Sequence, residues 1–327
     1  MYGARFNVLD GWRGISILSV LACHLLPIGP HFLLLNYAAG VLGMTIFFTL
    51  SGFLVTHFLI GRPQVIDFLI RRFFRILPLA WLYILLVFLL NPVSRDTWLA
   101  HVFFYANYPP KPLTHVTDHL WSLCVEMHFY IGLALLVAVL KKKGLLLIPL
   151  ICLLITVLRV INHEHVSVIT HFRVDEILAG GILALIYNRQ LDFGLYNMMS
   201  KVNYVFVLIL LLISCHPDAG FMNYFRPYFA ATLVGATLFN QNTRFAKFLE
   251  HKWLFYIATI SFALYVIHPL LASTWLGSGD VIEKYSKRPL LFLVLFLSAH
   301  ISTFYYEQRA MAWGKSFSQR LKLAKES

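Results

Sequence analysis

LDGWRGISILSVLACHLL, residues 9–26, is the stretch whose reading decides the fold. It is an apolar run close to the length of a membrane-spanning helix, yet it carries Arg13 near its start and His24 well inside. Eleven residues separate the two. At about 1.5 Å per residue that is about 16 Å along a helix, half of a hydrocarbon layer of about 30 Å. A cation near one face and an imidazole deep in the layer are costly, and such residues are candidates for function. The rest of the chain reads as what surrounds them.

The 327 residues are 59% hydrophobic and 13% charged, with a mean hydropathy of +0.72. A soluble domain carries about 25% charged residues. The chain therefore reads as all-α, a polytopic membrane bundle of about ten transmembrane helices. The apolar runs fall near 12–29, 41–60, 77–91, 119–140, 145–161, 174–189, 202–215, 227–241, 253–275 and 289–307. Residues 97–108 (TWLAHVFFYANY) read as an interfacial or re-entrant piece. The alternating ten-residue pattern of an outer-membrane barrel is absent. Cys23, Cys124, Cys152 and Cys215 lie in or at the ends of apolar segments, as small core residues do.

Ten spans put both termini on one side. Arg95, Lys111, Arg159, Arg173, Arg226, Lys284, Lys287 and Arg288 then fall on the far side, and the other 19 of the 27 Lys and Arg residues share the side of the termini. The positive-inside rule makes that side the cytoplasm. The net charge of +12 follows from this asymmetry and calls for no nucleic acid partner. A cleavable leader ending near Ala38-Ala39-Gly40 would discard Arg13 and His24, so the first span is expected to stay. Residues 1–327 are expected to form one integral-membrane domain with no appended extracellular domain.

The second span contains FFTLSGFL, residues 47–54. Ser51-Gly52 there reads either as a small-residue patch for close helix packing or as a thin wall along which a ligand lies. FLIRRFFRILP follows at residues 68–78. Arg71 and Arg75, four apart, share a helix face, with Arg72 beside them. Arginine's planar fork suits phosphate; the plainer reading is a topology signal with snorkelling side chains. Lys141–143 fit such a signal. The far-side loop NYPPKPLTHVTDH, residues 107–119, mixes aromatic and hydrogen-bonding groups of the kind that meet sugars or line a membrane interface.

The fourth span opens HLWSLCVEMHFY, residues 119–130. Glu126 lies about 10 Å below the far-side end of its helix, and His24 about five residues from the same end of the first span. The two helices run in opposite directions, so both groups are expected in the outer half. A buried carboxylate paired with an imidazole is a working acid–base unit. Ser122, Glu126 and Tyr130 share one face of the helix. HFRVDEILAGG, residues 171–181, places Arg173, Asp175 and Glu176 at the mouth of the sixth span, where a structural salt-bridge network is expected. SFALYVIHPLL, residues 261–271, adds His268 before Pro269, with Tyr265 as a neighbour. Alone, His268 reads as a hydrogen-bonded structural histidine; with His24 and Glu126 it is a third ionisable group in the outer half.

These segments together resemble the acyltransferase family 3 membrane proteins, which acylate cell-surface sugars. LDGWRGISILSVLACH carries the Arg-x10-His pattern in Arg13 and His24, and FFTLSGFL the second-span motif. FLIRRFFRILPLAWLY, WSLCVEMHFY, FRVDEILAGGILA, SFALYVIHPLL and STFYYEQRAMAWGK follow in the family's order, to residue 315. The resemblance implies a cytoplasmic acyl-CoA donor, usually acetyl-CoA, and an acceptor hydroxyl on a carbohydrate across the membrane. Arg71, Arg72 and Arg75 would hold the CoA phosphates, with Arg13 beside them. His24 would act as general base or transient acyl carrier, and Glu126 would fix its tautomer. Ser122, Tyr130 or Trp121 would supply the oxyanion donor, with His268 on the acceptor side. No metal is implied. The acceptor stays open among O-antigen lipopolysaccharide, capsule or exopolysaccharide, peptidoglycan, a lipid-linked oligosaccharide and a small glycosylated metabolite. A bacterial inner membrane is the implied location; oligomeric state is not legible.

Two other classes compete. A proton-coupled transporter or flippase also uses buried His and Glu, but the internal repeats and broken-helix pairs of transporters are not apparent in the sequence. An intramembrane zinc protease would need His-Glu-x-x-His, and His163-Glu164-His165 has the wrong spacing. The Gly-x-Ser-x-Gly elbow is likewise absent from the sequence, so nothing supports a protease.

Overall fold

The computed structural model describes residues 6–110, 112–191 and 194–326. Arg5 and Lys111, both counted in the charge asymmetry, lie outside the described residues. In chain order the helices are α1 (Asn7–Leu25), α2 (Leu35–Gly61), α3 (Val65–Leu90), α4 (Arg95–Val102) and α5 (Trp121–Leu140). Then come α6 (Ile148–Ile161), α7 (Asp175–Tyr187), α8 (Leu195–Lys201), α9 (Tyr204–Cys215) and α10 (Arg226–Phe239). The last five are α11 (Arg244–Leu249), α12 (Lys252–Ala272), α13 (Val281–Ser286), α14 (Arg288–Ile301) and α15 (Gln308–Glu326). Among the described residues there is no strand.

Each of the ten expected apolar segments contains a helix, but the boundaries change the count. Among the described residues, six helical runs are long and apolar enough to cross a membrane, or seven if the α8–α9 pair, bent by 91°, is one span. One 44-residue run, Asp118–Ile161, contains two of the expected spans. The helices α7 and α10 have only 13 and 14 residues, about 20 Å each. The segment at 97–108 forms the short α4 and the turn after it. Large apolar side chains on the outer faces stay uncovered, among them Leu89 (67%), Val139 (75%) and Ile161 (69%). Such an exterior suits lipid contact, and the chain is a multi-pass helical membrane protein.

The chain divides into two compact units. The first comprises residues 1–63 and 139–261, and α2 is its central element. Along one face α2 meets α1, where Ser16 Oγ donates to the Gly43 carbonyl at 2.8 Å. Along another it meets α7 at backbone contact: a Cβ on Gly52 would lie 1.8 Å from the Ile177 carbonyl oxygen, and one on Gly180 1.9 Å from that of Thr49. Ser51-Gly52 is thus a helix-crossing point, the packing reading of the second-span motif.

The end of α1 departs from expectation. The helix stops at Leu25, not near residue 29, because Pro27 disfavours helical backbone in the residue before it. The Asn36 side-chain amide closes the end, donating to the carbonyls of Ala22, Cys23 and Leu26. His24 therefore lies in the last turn and is exposed, a correction to its expected place well inside the helix.

The expected salt-bridge network is present in this unit and larger than the sequence suggested. Arg159 pairs with Asp175, and Glu176 pairs with Arg173 at 3.3 Å and Arg226 at 2.9 Å, all of them buried. Thr45 of α2 donates to Glu176 at 3.0 Å, and both Arg159 and Arg226 donate to the His165 carbonyl. Five charges are held by carboxylates, hydroxyls and backbone carbonyls, which is what burial of charge requires.

The second unit comprises residues 64–138 and 262–327. It holds α3, α4, nearly all of α5, the end of α12, and α13 to α15. A π-helical segment, Ser302–Glu307, joins α14 to α15, and α15 packs along α3. Buried Tyr83 of α3 donates to the Val116 carbonyl at 2.7 Å and ties the 103–120 loop down.

Candidate functional site

The site builds outward from residues 71–75 of α3, where three arginines take three directions. Arg71 Nε lies 2.8 Å from Asp67 Oδ1, one helical turn earlier. The Asp67 carboxylate is buried while the Arg71 side chain remains 34% exposed, so the ion pair orients a partly exposed arginine. Arg72 turns elsewhere. Its guanidinium lies over the rings of Phe68, at 6.0 Å, and Tyr130, at 5.6 Å. It is within electrostatic reach of Glu126. Arg75 is within electrostatic reach of Glu307, whose Oε1 accepts from Ser302 and Thr303 at 3.0 Å each. Glu307 closes the π-helical segment, a distortion frequent at functional sites.

On α5, Glu126 is buried in the second turn. The Tyr130 hydroxyl donates to its Oε1 at 2.6 Å, across the one-turn spacing that puts both on one face. Tyr130 thus connects two groups that the sequence treated separately: its hydroxyl serves the carboxylate and its ring face serves Arg72. Arg72, Tyr130 and Glu126 form one chain inside the second unit.

A further polar cluster stands at the start of α5. Ser122 Oγ and Tyr265 Oη are 2.6 Å apart, and Tyr265 donates to the His119 carbonyl. The His119 ring packs edge-on against those of Tyr83, Tyr265 and His268. His268 is buried, with Nδ1 2.8 Å from the Tyr265 carbonyl oxygen. Trp121 is half-buried at the first position of the helix.

Arg13 and His24 belong to the first unit. Arg13 is mostly buried and lies 3.8 Å from Asp10, about 16 Å along the unbroken α1 from His24. Among the described residues the structure therefore brings together Arg72, Glu126 and Tyr130, and separately Ser122 and His268 through Tyr265. Asp67, Glu307 and His119 were not singled out in the sequence. Asp67 stands four residues before Arg71, a readable pairing; Glu307 carried no signal beyond its motif, because its role depends on the π turn.

Residues 6–307 match the family described as Acyltransferase domain. The chain belongs to this acyltransferase family, acyltransferase family 3. It is similar to the O-acetyltransferase OatA of Staphylococcus aureus strain NCTC 8325 / PS 47, 28% identical over 317 residues, covering 82% of this chain and 51% of the relative. The same figures hold for OatA of strains COL and MRSA252. The chain thus spans about half the length of these curated relatives. No solved structure matches it.

Proposed function

We propose that the chain is a membrane O-acetyltransferase that takes an acetyl group from acetyl-CoA on the cytoplasmic side. The group goes to a hydroxyl of an extracytoplasmic or lipid-linked carbohydrate. Both termini are cytoplasmic in this reading, and the membrane is a bacterial inner membrane. The observation that carries the reading is the continuous chain from the arginine segment through Tyr130 to Glu126. It links groups suited to a phosphorylated donor to a buried carboxylate suited to acid–base chemistry. Membership of the acyltransferase family and the names of the relatives point the same way.

Each residue has a stated task. Arg71 and Arg75, with Arg13, neutralise the CoA phosphates, while Arg72 carries positive charge toward the reacting end. His24 removes the acceptor hydroxyl proton, or first carries the acetyl group itself, and Glu126 is assigned as the carboxylate for its imidazolium. The acceptor oxygen forms the new C–O bond as the thioester C–S bond breaks, and the CoA thiolate takes up the proton. Ser122, Tyr130 or Trp121 supplies the oxyanion donor, with His268 supporting the acceptor side through the Tyr265–His119 cluster.

Acetyl-CoA labelled in the acetyl carbon, given to the purified chain with an envelope-glycan extract, tests this directly. Label in an alkali-labile ester on glycan is the expected result. Glycan movement across proteoliposomes without any label incorporated would establish a transporter instead.

A further inference from the structure

The family match ends at residue 307, but the helix beyond it returns to the arginine segment. One narrow stripe of α15 is buried: Ala310, Gly314 and Ser318, spaced four apart. The rest of its middle turns are exposed, including Trp313 at 72% and Phe317 at 48%. Gly314 sits against Phe74, where a Cβ would lie 2.6 Å from the Phe74 Cβ; only glycine lets the helices approach this closely. One turn on, the Ser318 hydroxyl donates to Oδ1 of Asp67, the same oxygen that holds Arg71 Nε.

The result is a relay of three side chains from two helices 251 residues apart in sequence. A buried carboxylate that accepts from both has little freedom, and it meets Arg71 at Nε. The terminal nitrogens of the guanidinium are the ones that form a fork for phosphate. Fixing Nε fixes where that fork points. We propose that the C-terminal helix is a working part of the donor site. Ser318 is a positioning residue that, by holding Asp67, aims Arg71 at the phosphate groups of acyl-CoA. This rests on the donor assignment made above.

The test uses the full chain in detergent, with acetyl-CoA and pantetheine as probes, in wild type, Ser318→Ala, Ser318→Thr, Arg71→Ala and the Ser318→Ala/Arg71→Ala double variant. Ser318→Ala is expected to weaken acetyl-CoA binding about tenfold, the size of a lost hydrogen bond to a charged group. Its binding of pantetheine, which has no phosphate, should change little, and kcat at saturating donor should be retained. Ser318→Thr, which keeps the hydroxyl, should bind as wild type does. In the Arg71→Ala background the Ser318 substitution should have no further effect. Equal acetyl-CoA affinity in Ser318→Ala and wild type would overturn the proposal, as would a tenfold loss that persists without Arg71. A wild type that binds no acetyl-CoA would overturn the donor assignment itself, and this inference with it.

Discussion

Tyr130 donates a hydrogen bond from its hydroxyl to Glu126 and presents its ring face to Arg72, so Tyr130→Phe separates the two roles. The ring and its contact with the guanidinium persist while the carboxylate loses a donor. Turnover should fall by about 10- to 100-fold, the range expected for a hydrogen bond to a charged acceptor, while acetyl-CoA affinity stays within twofold. Steady-state kinetics and equilibrium binding read the two separately; unchanged turnover would show that the bond does not serve the reaction. The Glu126–Tyr130 pair was legible, because spacing of four on a helix leaves little choice. The direction of Arg72 was not. A helical wheel places it about 100° from Arg71, but its rotamer is set by a ring on α5.

At the scale of helices, two features hold the first unit. The α2–α7 crossing depends on Gly52 and Gly180, each facing a backbone carbonyl with no room for a methyl group. Gly52→Ala should destabilise by about 1–3 kcal/mol, the cost of overpacking, and lower the thermal midpoint in detergent. An unchanged midpoint would mean that the helices part without penalty. The ion network couples α2, α6, α7 and α10 through Glu176, Asp175, Arg159 and Arg226. Glu176→Gln leaves Arg226 and Arg173 without their shared carboxylate, and loss of one buried partner costs about 3–5 kcal/mol. Denaturation of the variant should show this; a loss below the scatter of surface substitutions would contradict the reading. The sequence placed Arg173, Asp175 and Glu176 together through adjacency. Arg159 and Arg226 join from 16 and 50 residues away, and no local pattern announces contacts of that range.

For the whole molecule, hydropathy identified where helices form, since an apolar run needs internal hydrogen bonds in lipid. It did not identify how far each run extends. Pro27 ends α1 early, so His24 stands in the final turn and is exposed. The proposed function requires that His24 does chemistry there. The measurement that tests this is free CoA release from acetyl-CoA by the purified chain, with and without envelope-glycan extract, in wild type and His24→Ala. Release that depends on acceptor and falls by at least about 10²-fold in the variant, the scale of a lost general base, is the predicted result, with helix content unchanged. A His24→Ala protein that releases CoA as fast as wild type would contradict the account.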